Sequence, residues 1–160
     1  MIRTASLEQA ELAIIGAGCA GLSLARQLVR TEKTSSIKAC LYGPVSPAAT
    51  NRHSWGFWAT QGLKEQTELA RQRWHKWQII TAERKVTQTA DSHPYCRLDS
   101  RDWLTHCLNI IDGNIQQEPD NLPTPGAKPV FDSRPPNVPD GAMLQHFKGV
   151  EIKAAQPCFS

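Results

Sequence analysis

Between Glu11 and Tyr42 the apolar positions change period twice. Leu12, Ala13, Ile14 and Ile15 form an unbroken apolar run, the pattern of a strand buried on both faces of a parallel sheet. Gly16-Ala17-Gly18-Cys19-Ala20-Gly21 follows. Beyond it Leu22, Ala25, Leu28 and Val29 recur three to four residues apart, with Arg26, Gln27 and Arg30 on the other face, which predicts an amphipathic helix. The polar cluster Thr34-Ser35-Ser36 punctuates, and residues 37–42 supply a second strand. Strand, glycine turn, helix and strand within about thirty residues make a βαβ unit.

The pattern is less regular further on. Residues 44–62 read as loop carrying an aromatic insert, Ser54-Trp55-Gly56-Phe57-Trp58. Residues 63–73 suit a helix, while Trp77-Gln78-Ile79-Ile80 and Lys85-Val86-Thr87 predict short strands. Ser100 is a candidate N-cap, with Asp102 in the first turn, for a helix bearing Trp103, Leu104, Cys107 and Leu108 on one side. Residues 119–139 hold seven of the eleven prolines, so this stretch is not helix or central strand throughout. Val130-Phe131-Asp132 is the strand expected within it; residues 143–150 and a short tail follow.

Composition narrows the class. A chain of 160 residues fits one domain, and 40% hydrophobic with 21% charged residues is globular rather than disordered. The net charge of +3 gives no reason to invoke nucleic acid. The basic and aromatic stretch Arg71-Gln72-Arg73-Trp74-His75-Lys76-Trp77 is accordingly read as a solvated face. Five cysteines, an odd number without framework spacing, and a mostly polar N-terminus point to free thiols in a reducing, cytoplasmic setting. No run approaches the eighteen or so apolar residues of a membrane span, which leaves peripheral membrane contact open. His93 with Cys96, and His106 with Cys107, lack the paired spacing of a structural zinc site, so no metal is expected.

The candidate chemistry lies at the glycines. Gly16-x-Gly18-x-x-Gly21 sits between strand and helix, where a dinucleotide fingerprint belongs: Gly16 for the turn, Gly18 for approach of a pyrophosphate, Gly21 for close helix packing. The unpaired N–H groups of the first helical turn then face the phosphates. The acid expected about twenty residues on, at the end of the second strand, is missing. Glycine stands at 43, and the nearest acid, Glu32, precedes the strand. Trp55, Phe57 and Trp58 are open to two readings. They form either an apolar plug over the sheet or a wall of ring faces that stabilises a cation by roughly 0.5–2 kcal/mol per ring. Arg101 either pairs with a phosphate or caps the surface.

Four segments together resemble the lycopene cyclase family. They are residues 12–21, residues 52–58 (Arg-His-Ser-Trp-Gly-Phe-Trp), residues 95–108, and Val130-Phe131-Asp132-Ser133-Arg134-Pro135 followed by Leu144-Gln145-His146-Phe147-Lys148-Gly149. The last pair is the most specific. The resemblance implies an incomplete, Rossmann-type α/β flavoprotein with added antiparallel strands, the N-terminal FAD/NAD(P)-binding portion of an enzyme that closes the ends of a linear C40 carotene into ionone rings. Such an enzyme uses FAD in reduced form, with NADPH as electron source, and takes an apolar carotenoid substrate. Under it Gly16, Ala17, Gly18 and Gly21 hold the pyrophosphate. Arg101, Asp132 and Arg134 lie near the cofactor, and Trp55, Phe57 and Trp58 pack against flavin or polyene. The family's acidic catalytic segment lies downstream of Gln-His-Phe-x-Gly and has no counterpart among the 160 residues; Asp132, Asp140 and Glu151 do not match it. No catalytic acid is assigned. A dinucleotide-binding module without turnover and a flavin monooxygenase relative are the alternatives.

Overall fold

A computed structural model describes residues 10–31, 36–44, 53–123, 129–135, 137 and 139–141. Its centre is a four-stranded sheet of β1 (Leu12–Ile15), β2 (Ala39–Tyr42), β8 (Gln116–Glu118) and β9 (Val130–Asp132), in the order β8-β2-β1-β9. Every pairing in it is parallel. Strand β1 lies between two neighbours, and its alternate residues fill two separate cores, which is why its apolar run is unbroken. Ile14 and Leu41 meet Leu22 and Ala25 of α1 (Cys19–Arg30) and Trp103, Leu104, Cys107 and Ile111 of α3 (Ser100–Ile111). Ala13, Ile15, Cys40 and Tyr42 line the other face.

The two long helices run side by side. Trp103 Nε1 donates to Ser23 Oγ at 2.9 Å, joining the fourth residue of α3 to the fifth of α1. Both helices lead into strands parallel to the rest of the sheet, so their N-termini lie at the edge where the strands end.

Antiparallel strands form the rest. Strands β3 (Ser54–Trp58), β7 (Tyr95–Asp99) and β4 (Gln72–Trp74) make a sheet in the order β3-β7-β4, and β5 (Lys76–Ile80) pairs with β6 (Lys85–Thr89) as a hairpin. The α/β fold class with short antiparallel strands is as the sequence indicates. Several local expectations change. The aromatic insert is not loop but β3: Trp55 and Phe57 point inward at period two, a signal masked by Gly56 and by Trp58 on the outer face. Residue 56 is glycine because the Tyr95 ring lies over it, and a β-carbon there would stand 2.6 Å from Cζ. The helix expected over residues 63–73 shrinks to a 3-10 turn (Gln61–Leu63) and α2 (Lys64–Glu68). Gln72–Trp74 pairs instead with β7, a tertiary pairing that overrides helical propensity. The cap of α3 is Asp99 rather than Ser100, which is the first helical residue and buried.

Arg26 also departs from expectation. Placed on the polar side of its helix by sequence, it is 8% exposed. Segment α2 covers it, with Glu65 as ion-pair partner and the Trp103 ring 5.2 Å from the guanidinium carbon. Cys19, Cys40, Cys96 and Cys107 are thiols, the last three buried. No described helix is long and apolar enough to cross a membrane. The segment at residues 143–150 lies outside the described residues, as do Arg52, Glu32, Glu151 and Cys158.

Candidate functional site

The parallel sheet reverses its winding at β1, with β2 and β8 to one side and β9 to the other. Open α/β sheets bind ligands at the carboxyl ends of the strands flanking such a reversal. Here that crevice holds the glycine turn. Gly16 N–H donates to Tyr42 O at 2.8 Å, and the residue has φ 97°, a region that glycine enters without penalty. A β-carbon on it would stand 2.5 Å from Ser133 Oγ. A β-carbon on Gly21 would press into the Gly16 carbonyl, 3.1 Å from its carbon and closer still to its oxygen. The protein itself therefore requires glycine at both positions.

Gly18 differs. It caps α1 at φ −85° and ψ −165°, extended backbone open to any residue, and a β-carbon there would meet no described atom within 4 Å. No described residue calls for glycine at 18, and the space beside it is open to a ligand laid against the turn. Helix α1 has no side-chain cap bond at this end and no acid in its first turn, leaving its N–H groups to an anion. These features fit a dinucleotide pyrophosphate.

Strand β9 brings Asp132, Ser133 and Arg134 to the same rim. Ser133 N–H donates to Ile15 O at 2.9 Å, and its hydroxyl lies 2.8 Å from that oxygen and 3.1 Å from Gly16 O. Ser133 thus ties β9 to the turn, a role that its place in the Asp-Ser-Arg-Pro motif did not disclose. Arg134 Nη2 donates to Asp132 Oδ2 at 2.7 Å, and its Nε to Oδ1 at 3.0 Å. This guanidinium, with the Arg134 backbone N–H, holds the Asp132 carboxyl well below its usual range, at about 2. Asp132 is an anion at neutral pH and no proton donor. Arg134 lies beside Gly16, its Cγ 3.6 Å from where a β-carbon on that glycine would sit.

The remaining sequence candidates are more dispersed. Arg101 is exposed in the first turn of α3, at the same edge of the sheet as the glycine turn. Trp55 and Phe57 pack on the main core. Trp58 joins a cluster outside it, at 5.0 Å from Tyr95 and 6.4 Å from Trp77, with Trp74 at 6.2 Å from Tyr95. The Gln145-His146-Phe147-Lys148-Gly149 segment lies outside the described residues. Arg71–Trp77 is largely exposed, although Arg71 is engaged by Asp102 at 2.6 and 2.9 Å. Among the described residues no group of three or more His, Cys, Asp or Glu is placed to hold a metal ion.

A second polar cluster went unread. Glu65 pairs with Arg26 and Arg30, and with His106 Nε2 at 3.0 Å. Burial raises the Glu65 carboxyl, but the hydrogen bonds from His106 and Arg26 and the two arginine charges outweigh it and hold it below the ordinary carboxylate range. The partners are 35 to 41 residues from Glu65 along the chain, a separation that leaves no periodic signal.

Comparisons with known proteins agree with this geometry. The family model described as lycopene cyclase protein matches residues 11–111. None of the curated proteins matches the chain. Among solved structures, a variant of PqsL from P. aeruginosa aligns with TM-score 0.52 and 14% identity, over 68% of this chain and 32% of its own. The tetrameric form of 2-methyl-3-hydroxypyridine-5-carboxylic acid oxygenase aligns with TM-score 0.50 and 14% identity, over 70% of this chain and 32% of its own. At that identity the likeness is one of fold. The chain spans about a third of the length of these structures.

Proposed function

This chain belongs to the lycopene cyclase protein family, its residues 11–111 matching the family model, and from that premise we propose that it is the FAD-binding portion of a carotene-cyclising flavoprotein. The observation that carries the cofactor reading is Gly18, a glycine that no described neighbour requires, at the mouth of a helix N-terminus in the sheet's crevice. Gly16, Ala17, Gly18 and Gly21 would hold the pyrophosphate, with Arg134 beside the turn and Arg101 at the same edge supplying positive charge. Bound and reduced by NADPH, the flavin would supply the electron-rich partner that family members use in closing the ends of a linear C40 carotene.

The chain's own residues set limits on that chemistry. Protonation of a terminal double bond needs a carboxylic acid that stays protonated near neutral pH. Asp132, at the rim beside the turn, is ionised by its pairing with Arg134, so its part is to orient that arginine. The apolar substrate makes peripheral contact with a membrane part of the same proposal. Titration of the purified chain with FAD, followed by quenching of flavin fluorescence, tests the cofactor reading. Saturable one-to-one binding is expected; an unchanged flavin signal at every protein concentration refutes it.

A further inference from the structure

Strand β2 ends without the acid that holds an adenosine ribose, and the strand next to it supplies one. Tyr42 of β2 is in register with Glu118 of β8, and Gly43 N–H donates to Glu118 O at 3.0 Å. Gly43 occupies the place where the acid would stand. It has φ 110°, and a β-carbon on it would lie 3.7 Å from Gly16 Cα and 3.9 Å from Ala17 N. A side chain at 43 would be strained by its backbone, although it would touch the turn only at ordinary contact distance. Glu118 lies one strand over, about 4.8 Å away in the sheet, at the same carboxyl edge.

Its carboxylate is already oriented. Gln116 Nε2 donates to Oε1 at 2.9 Å and Asn121 Nδ2 to Oε2 at 3.1 Å. Each carboxylate oxygen accepts two hydrogen bonds, so one site on each is left for a ligand hydroxyl. The partners come from the same strand and from the segment just after it.

On the reading that the glycine turn binds FAD, we infer that Glu118 is the ribose-binding acid of this chain. Its carboxylate accepts hydrogen bonds from the adenosine ribose hydroxyls, in place of the acid absent from β2. The same charge repels a ribose that carries a 2′-phosphate, so this site selects FAD over a 2′-phosphorylated dinucleotide such as NADPH, which must then act from elsewhere. Relocating the acid explains how a fingerprint that lacks its usual last member remains a complete site.

The test uses the full chain with three probes: ADP, 2′-deoxy-ADP and adenosine 2′,5′-bisphosphate, each displacing FAD in a fluorescence titration. The wild-type chain is expected to bind ADP about tenfold more tightly than 2′-deoxy-ADP, the scale of one charge-assisted hydrogen bond. Glu118→Gln should weaken ADP by a similar factor, weaken 2′-deoxy-ADP, which keeps its 3′-hydroxyl, by less, and narrow the gap between ADP and the bisphosphate. Equal affinity of the wild-type chain for ADP and 2′-deoxy-ADP overturns the inference without any variant. So does a Glu118→Gln chain that keeps full discrimination. Failure of the wild-type chain to bind FAD or ADP at all is a different result: it removes the cofactor reading, and this inference with it.

Discussion

The two glycines that flank Cys19-Ala20 offer a sharp contrast, because the fold needs one and, on the proposed function, a ligand needs the other. In Gly21→Ala the added methyl would press into the Gly16 carbonyl, with the carbonyl carbon at 3.1 Å. Both atoms belong to the backbone of a turn fixed by Tyr42 O and Ser133, so relief requires α1 to move off the sheet. Overpacking of this kind costs typically 1–3 kcal/mol, and the upper end applies where neither side is a flexible side chain. In a domain of this size about 3 kcal/mol lowers the melting temperature by roughly 6–12 °C. In Gly18→Ala the methyl meets no described atom within 4 Å, on backbone that alanine adopts freely. Alanine is the poorer cap by up to about 1 kcal/mol, and its smaller unfolded-state entropy returns about 0.4–1 kcal/mol. The net change in stability is within about 1 kcal/mol of zero.

Binding should show the reverse order of interest. The Gly18 methyl would occupy the space where a pyrophosphate approaches, and a loss of at least about tenfold in FAD affinity is expected. Thermal unfolding of each chain, with and without FAD, measures both quantities at once. FAD at about a hundred times its Kd should stabilise the wild-type chain by about 2.7 kcal/mol and Gly18→Ala by much less. The reasoning is refuted if Gly18→Ala binds FAD like the wild type. It is refuted equally if Gly18→Ala loses as much stability without ligand as Gly21→Ala, for then the glycine serves the fold.

Two further predictions concern charge. Asp132 has its folded pKa depressed from 3.8 to about 2 by Arg134, so the pair stabilises the fold above about pH 4 and loses that contribution as pH falls through about 2. An NMR titration of the Asp132 carboxyl should give that low midpoint and return it towards 3.8 in Arg134→Gln; an unmoved midpoint contradicts the pairing. Glu65→Ala leaves Arg26 with a buried, uncompensated charge, its side chain 10% exposed. Loss of one partner from a buried pair costs roughly 3–5 kcal/mol, reduced here because Glu65 is itself 26% exposed, so urea denaturation should show a loss of about 2–3 kcal/mol. A loss below about 0.5 kcal/mol would place the cluster with ordinary surface ion pairs.

The βαβ core was legible because each of its signals is local. The apolar run of β1, the glycine spacing and the 3.6-residue period of α1 all fall within one short stretch, and the strand at Val130–Asp132 stands out against its prolines. What escaped reading depends on partners distant in sequence. Gln72 and Arg73 look like the end of a helix until β7 offers a strand edge for them and Trp74 to join. Arg26 looks like a surface arginine until α2 covers it with Glu65. Ser133 is one letter in a motif until its hydroxyl is seen beside the carbonyls of Ile15 and Gly16, 118 and 117 residues earlier. Glu118 carries no motif at all, and gains its place from the register of β8 beside β2.

The aromatic stretch shows how a strand divides what sequence groups together. Read as a loop, Trp55, Phe57 and Trp58 can share one surface; as β3 they cannot, because successive side chains of a strand point to opposite faces. Trp55 and Phe57 are held by the main core, so removing either would cost stability before it touched any ligand. Trp58 is the member of the three that a ligand can meet without disturbing that core. At 51% exposed and edge-on to Tyr95 and Trp77, it belongs to a surface of rings that it forms with residues from β4, β5 and β7. A cation in a cyclisation is stabilised by ring faces only where water is kept away. On the proposed function, contact of this cluster with a polyene therefore requires that its exposed rings be covered when substrate is bound, whereas the pyrophosphate site proposed at Gly18 asks only for the turn and the helix end that are already in place.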